Sequence, residues 1–309
     1  MRMKYLIGLD GGGTKTHAVI TNLNGEKLYE CNGGASNFLV QGTFTVSQTL
    51  LSIIQKCVDE ISAQLTEVEC VLLGTTGAGR RNDAEKLEND FTSFLKKKNV
   101  SLKLFVVESD ARIALEGAFA GKPGSILIAG TGSIMFGKDA QGNVYRVGGF
   151  GRFLGDEGSG YMLGKKGLVA VSKNFDGRGE ATLLTNLVKE KFGIETPEIL
   201  ITEIYKNNFD IASIAPLVIG AAEKSDAAAL KIVEEETNEL LLHIKTMYNK
   251  MNEEALNVSF IGGLISSPNF YSNLFKKKIA DQLPHVKVIE PIYPPAMGAV
   301  LMAKEKISK

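Results

Sequence analysis

Residues 4–22, KYLIGLDGGGTKTHAVITN, restrict the fold more than any other stretch. The apolar run Tyr5 to Leu9 has the length and flanks of a buried strand, and three glycines between Asp10 and Thr14-Lys15-Thr16 then turn the chain. The next residues, THAVITNLNGEKLYE, alternate polar and apolar around Asn24-Gly25, which predicts a hairpin. A P-loop needs glycine immediately before Lys-Ser/Thr, and a dinucleotide fingerprint needs a third glycine where Thr16 stands. Both also need a helix after the turn, whereas this sequence predicts a strand. A phosphate held here would rest on the N–H groups of a β-turn, reached closely because glycine has no Cβ. Two readings of the turn stay open on these residues alone. In one, Asp10 faces phosphate oxygens across a Mg²⁺ ion; in the other, the glycines form a tight hairpin and Asp10 makes only local hydrogen bonds.

The hairpin continues into a third strand at KLYECNGGASN, and apolar residues from Val46 to Ile61 recur at helical spacing. A strand at CVLLGTTGAG, a helix over 81–97, a strand at LKLFVVESD and a helix at DARIALEGAFAG complete the set. After Gly121-Lys122-Pro123-Gly124 the plan restarts. SILIAGTGSIMFGKDAQGNVYRVGG predicts strand, glycine turn, strand, turn and strand, helical spacing dominates from Ser159 to about Met251, NVSFIGGLISS and VKVIEPIYPP read as strands, and PAMGAVLMAKEKI as a closing helix. Two strand-rich starts, each followed by helices, predict two similar α/β domains with a cleft between them. The expected domains are 1–119, completed by 294–309, and 120–293.

A chain of 309 residues accommodates two cores of ordinary size. Thirty-five basic residues balance thirty-five acidic ones, so no net positive field recruits nucleic acid or an anionic membrane, and a small-molecule partner is expected. Cys31, Cys57 and Cys70 form neither a CxxC pair nor an even-numbered disulfide framework. The apolar run before Asp10 is too short for a signal segment or a membrane span. The expected location is cytoplasmic.

Two further glycine turns, AGTGSI at 129–134 and FIGGLISS at 260–267, each follow an apolar strand. The small-residue helices DARIALEGAFAG and PAMGAVLMAKE are expected to cross closely as a hinge between the domains. This ordered set resembles the actin, Hsp70 and sugar-kinase ATPase superfamily, and more closely the BadF-type ATPases and their N-acetylglucosamine kinase branch. The matching segments are DGGGTKT, GASNFLVQG, GTTGAG, ESDARIALEGAF, AGTGSI and GGFGRFLGDEGSGYMLG, the last being the most specific.

The resemblance implies two ribonuclease-H-like (actin-like ATPase) domains flanking a nucleotide and sugar cleft, with ATP and Mg²⁺ as cofactors, an amino sugar as substrate and a homodimeric assembly. Asp110 matches the catalytic aspartate, the alternative being an ordinary helix N-cap; Glu108 is a weaker candidate for the same work. Asn37 and Asp156 match sugar-gripping positions, and Thr76, Gly149 and Phe150 further substrate-lining ones. Phe150 departs from the tryptophan of the family pattern. Gly11, Gly12, Gly13, Thr14, Lys15, Thr131 and Gly132 match phosphate-binding positions and Asp10 a metal-holding one. Gly262 and Gly263 match the adenosine turn, with IGAAEKSD beside the adenine. Glu157 is free to pair with Arg152. His17, His243 and His285 are scattered and read as structural or exposed, and the lysine runs FLKKKN and FKKKI as solvated helix faces.

The expected activity is phosphorylation of an amino sugar, N-acetylglucosamine foremost. The alternatives are action at the anomeric oxygen of N-acetylmuramic acid or N-acetylglucosamine, a glucosamine kinase and, more distantly, the ATPase activator of a radical dehydratase. The activators carry iron–sulfur cysteines, which the segments ESDARIAL and GGFGRF lack. A sugar-sensing regulator would carry a DNA-binding helix pair ahead of the first strand, and an actin-like filament would leave Asn37 and Asp156 without purpose.

Overall fold

A computed structural model describes residues 3–308. The chain opens with β1 (Tyr5–Gly11), β2 (Thr16–Asn22) and β3 (Lys27–Gly33), then a one-turn α1 (Phe38–Gln41), α2 (Thr43–Glu60), β4 (Val68–Thr75), α3 (Arg81–Lys97), β5 (Phe105–Ser109) and α4 (Asp110–Ala118). The five strands form one sheet in the order β3-β2-β1-β4-β5, with β1 to β3 antiparallel and β4 and β5 parallel to β1. Both faces of this sheet are covered, which explains why β1 reads as an unbroken apolar run. Tyr5, Ile7 and Leu9 point into a core with α2 and α3. Leu6 points the other way, into a second core shared with Ile113 and with residues 296–303.

The plan then repeats. Strands β6 (Gly124–Ala129), β7 (Ser133–Lys138) and β8 (Val144–Gly148) are followed by α5 (Gly160–Phe175), α6 (Leu183–Phe192), α7 (Pro197–Tyr205), α8 (Ala215–Glu223) and α9 (Ala227–Met251). After them come β9 (Leu256–Ile261), α10 (Phe270–Gln282) and β10 (Val286–Val288). The second sheet is ordered β10-β9-β6-β7-β8, the same topology as the first, strand for strand. Its core gathers α5, α6, α8, α9 and α10 over Leu127, Ala129 and Met135. The two α/β units are therefore a structural duplication, as the restarted sequence pattern predicts.

Unit 1 comprises residues 1–123 and 290–309, and unit 2 residues 124–289. The divisions fall at 123/124 and 289/290 rather than at 119/120 and 293/294, because both flanking segments bond to the end of α4. Gly121 N–H donates to Glu116 O, while Ile292 and Tyr293 N–H donate to Ala118 O and Gly117 O. The strand expected over VKVIEPIYPP is likewise corrected. Only Val286–Val288 pairs with β9, since the prolines at 291, 294 and 295 have no N–H to offer a ladder.

The last helix, α11 (Pro295–Ser308), returns to unit 1 and packs on β1 and α4. The two small-residue helices thus cross within unit 1. Glycine is required at the crossing: a Cβ at Gly298 would overlap the Ile113 carbonyl oxygen, and one at Gly117 would lie 2.9 Å from Pro294 O. Nothing lies within 4 Å of a Cβ built at Gly13 in the first glycine turn. Gly298→Ala is expected to destabilise unit 1 by about 1–3 kcal/mol, whereas Gly13→Ala is expected to leave stability unchanged, both read by thermal unfolding. Equal midpoints for the two variants would refute the backbone-contact account of the crossing.

Candidate active site

In unit 1 the candidate site residues cluster at the carboxyl ends of β1, β4 and β5. The β1–β2 register ends at Gly11 opposite Thr16, and Gly12 N–H donates to Lys15 O at 2.9 Å, so residues 12–15 form a tight turn with Gly13, Thr14 and Lys15 exposed. This turn is tied to two other loops through its own carbonyls. Ser36 N–H donates to Gly12 O and Thr76 N–H to Gly11 O, each at 3.1 Å. The Thr75 hydroxyl donates to Ser36 O at 2.9 Å and the Thr16 hydroxyl to Gly34 O at 2.7 Å. A Cβ on Gly11 would overlap the Ser36 hydroxyl, so only glycine allows this closure.

Those ties deliver Asn37, Thr76 and Asp110 to one place. Asn37 caps α1, its Oδ1 accepting from Leu39 N–H, and lies beside the Thr76-Gly77 turn. The Thr76 hydroxyl donates to Asp110 Oδ2 at 2.8 Å. The capping alternative for Asp110 is resolved by its neighbour: Ser109 is the N-cap of α4, its Oγ accepting from Arg112 N–H at 3.1 Å. Asp110 stands one position later, in the first turn, with Oδ1 accepting from Ala111 N–H. Its carboxylate, stabilised by the positive end of the helix, faces Thr76.

Unit 2 carries its own cluster. The second glycine turn closes through Gly130 N–H to Gly132 O, and the first amides of α5 bind it, Gly160 N–H to Gly130 O at 2.8 Å and Tyr161 N–H to Thr131 O at 3.1 Å. A Cβ on Gly132 would come within 2.8 Å of Asp156 Oδ2, which places Asp156 against this turn. Asp156 has φ +60°, an uncommon conformation for a residue with a side chain, and its Oδ1 accepts from Gly151 N–H. Asp156 shares a cavity of about 390 Å³ with Thr131, Gly132, Arg152 and Tyr161. Gly149 has φ +71° over Ile134, and Phe150 is 71% exposed with the Arg146 guanidinium above its ring. Arg152 lies over the rings of Phe153 and Tyr161, and no ion pair to Glu157 exists among the described residues.

The third turn also belongs to unit 2. Gly262, φ +97°, packs directly on the Ala129-Gly130 backbone, and Gly263 beside it opens onto a cavity of about 520 Å³. Gly130 and Thr131 line one part of this cavity and Pro216, Ile219 and Gly220 of α8 another. Backbone amides next to an apolar wall suit a nucleoside with attached phosphates.

A model of the BadF/BadG/BcrA/BcrD ATPase family matches residues 7–303. The chain belongs to that family. It is 35% identical to the N-acetylmuramic acid/N-acetylglucosamine kinase of Clostridium acetobutylicum, over 98% of this chain and 99% of that one. It is 30% identical to the N-acetyl-D-glucosamine kinase of Dictyostelium discoideum, over 98% of each. Among solved structures, a candidate N-acetylglucosamine kinase from Chromobacterium violaceum superposes with a TM-score of 0.72 at 24% identity, covering 97% of this chain and 99% of that one. This likeness confirms the actin-like ATPase fold of the family.

Several contributors to the clusters have no role in the sequence reading, although all but Asn269 lie within the motif segments. Thr16, Ser36 and Thr75 supply the hydroxyls that close the first turn, and Asn269 of the 520 Å³ cavity caps α10. Their sequence signal is only that of small polar residues in or near glycine-containing turns, which many loops share. Of the histidines, His17 lies 3.4 Å from Glu30, His243 Nδ1 meets Glu239 O, and His285 packs against the Tyr248 ring, all structural roles.

Burial, and next the Asp110 carboxylate, push the Asp10 carboxyl above its ordinary range, while His17 and Lys15 pull it down. Such a carboxyl holds its proton more tightly in the folded chain than in the unfolded one, so its ionised form destabilises the fold. The penalty is full above the folded pKa, shrinks as pH falls through it, and is gone below the unfolded value of roughly 3.9. Asp10→Asn is therefore expected to raise the thermal midpoint at neutral pH and to lose that advantage in acid. A midpoint at neutral pH equal to or below that of the native chain would contradict this.

Proposed function

We propose that this chain is an ATP-dependent kinase that phosphorylates a hydroxyl of an amino sugar, N-acetylglucosamine foremost. The observation that carries the reading is the Asp110 carboxylate. It is held by the Thr76 hydroxyl, stands beside the first glycine turn and is released from capping by Ser109. In the transfer, the acceptor oxygen forms a bond to the γ-phosphorus, the bond to the β,γ-bridging oxygen breaks, and the acceptor proton passes to Asp110. Thr76 orients the carboxylate, and its hydroxyl occupies Oδ2 until the substrate hydroxyl arrives. The turn amides at Gly13 to Lys15 and at Thr131 and Gly132 offer donors to phosphate oxygens, while Gly11 and Gly12 let the turn close, and the cavity beside Gly263 takes the nucleoside.

The chemistry of the donor set fits Mg²⁺. Asp10 and Asp110 are close enough to raise the proton affinity of Asp10, and among the described residues no group of three or more His, Cys, Asp or Glu could hold a metal ion without help. One or two carboxylates completed by phosphate oxygens and water is the usual site of this ion. When bound there it offsets the charge of the phosphates; Asp10 would hold it. Asn37 and Asp156 are the acceptor-sugar residues of this reading. Each offers hydrogen-bonding atoms to hydroxyls, which present both a donor and an acceptor.

The activities named for the Clostridium and Dictyostelium relatives support an amino sugar as acceptor. The position of Cys31, Cys57 and Cys70, all buried, weighs against an iron–sulfur activator, whose cluster bridges two subunits through accessible cysteines. No helix is long and apolar enough to cross a membrane among the described residues.

Asp110→Asn is expected to lower kcat by about 10²–10⁴ with nucleotide affinity, read by calorimetry, near native. Turnover close to native would remove Asp110 from the role of base. ATP consumption with N-acetylglucosamine, N-acetylmuramic acid, glucosamine and glucose, followed by ³¹P NMR of each product, identifies acceptor and position. Inactivity on all four would reject the amino-sugar reading.

A further inference from the structure

The loop that carries Asp156 is anchored from beneath by Glu236 and Tyr271, which no sequence motif contains, and by Ser133 of the second glycine turn. Gly158, φ +78°, lies two positions after Asp156, and both of its backbone polar groups are taken by distant side chains. Gly158 N–H donates to Glu236 Oε2 of α9 at 2.6 Å, and the Tyr271 hydroxyl of α10 donates to Gly158 O at 2.8 Å. The preceding carbonyl, Glu157 O, accepts from the Ser133 hydroxyl at 2.6 Å. A Cβ on Gly158 would overlap Leu240, so the loop sits flush on α9.

Glu236 is 1% exposed. A carboxylate so buried is retained only when compensated. Its compensation is Lys166 of α5, 2.7 Å from Oε1, which also meets Glu235 at 2.8 Å. Burial, and next the Glu236 charge, push the Tyr271 phenol well above its ordinary range, so it stays a donor. One carboxylate therefore joins α5, α9 and the loop of Asp156, and its charge makes the bond to Gly158 a strong one.

We infer that Glu236, seated by Lys166 and assisted by Tyr271, is a positioning residue that fixes the Asp156 loop for acceptor-sugar binding. The consequence for the sugar rests on the kinase reading above; the anchoring itself does not. With both groups of Gly158 held, the left-handed backbone at Asp156 has no slack to relax, and the carboxylate keeps its place against Gly132.

Two readouts test this on the full chain. In Glu236→Ala, amide exchange of peptides covering 156–160 is expected to accelerate, while peptides from β6 and β9 keep native protection. The KM for N-acetylglucosamine is expected to rise by roughly tenfold or more, with the KM for ATP unchanged. Glu236→Gln, which keeps an oxygen for Gly158 N–H, is expected to restore most of the loss. A merely structural role would lower the folded fraction, and so kcat, but leave KM alone. Should Glu236→Ala not fold, Tyr271→Phe removes a single hydroxyl and carries the same two readouts. Native exchange at 156–160 overturns the inference, as does an unchanged sugar KM or an equal rise in the ATP KM. If the native chain phosphorylates no amino sugar while exchange responds as expected, the kinase reading falls and the anchor stands.

Discussion

The geometry of unit 1 depends on the hydrogen bonds that Ser36 and Thr76 N–H make to Gly12 O and Gly11 O. They lock a two-strand turn to the loops that follow β3 and β4, and so bring Asn37, Thr76 and, through the Thr76 hydroxyl, Asp110 into one cluster. The bonds require Gly11 to be bare of a Cβ, because the Ser36 hydroxyl occupies that space. The turn is thus a tight hairpin that also leaves a tip open to solvent. Its carbonyls point inward to hold the scaffold, while its tip at Gly13, Thr14 and Lys15 stays exposed.

Unit 2 solves the same problem with other means on the same topology. Its glycine turn is held by the first amides of α5, and its carboxylate arrives on an extended glycine-rich loop rather than at a strand end. Duplication has preserved the order of strands, which is set by sheet pairing. It has not preserved the ties around each turn, which are set by local side chains, and the two units therefore present different groups: the Asp110 carboxylate with Thr76 and Asn37 in one, a cavity beside Gly263 and the Asp156 carboxylate against Gly132 in the other.

Much of this was legible in the sequence where one residue property decides the outcome. The apolar run of β1, the failure of the P-loop pattern at Thr14 and Thr16, and the restart after Pro123 each follow from backbone or burial rules that act within a few residues. The Asp110 cap was not legible, because Ser109 and Asp110 both cap well and only the backbone shows which of them precedes the helix. The length of β10 was overread from its valines and isoleucine, against the prolines that stop it. Glu236 was invisible for a different reason: on a helix rich in glutamates, nothing local separates a solvated one from the one that turns inward, and its partners Gly158 and Tyr271 are far away in the chain.

The packing of α11 on β1 has a temporal side. Strand β1, made before unit 2, is covered on one face by a helix made only after all of unit 2, so Leu6, Val19, Cys70 and Leu72 must wait with an apolar surface open. Unit 2, continuous in sequence, has every residue of its core as soon as β10 emerges. The inserted half is thus the one free to fold first during synthesis, and the half that flanks it in sequence is sealed after it.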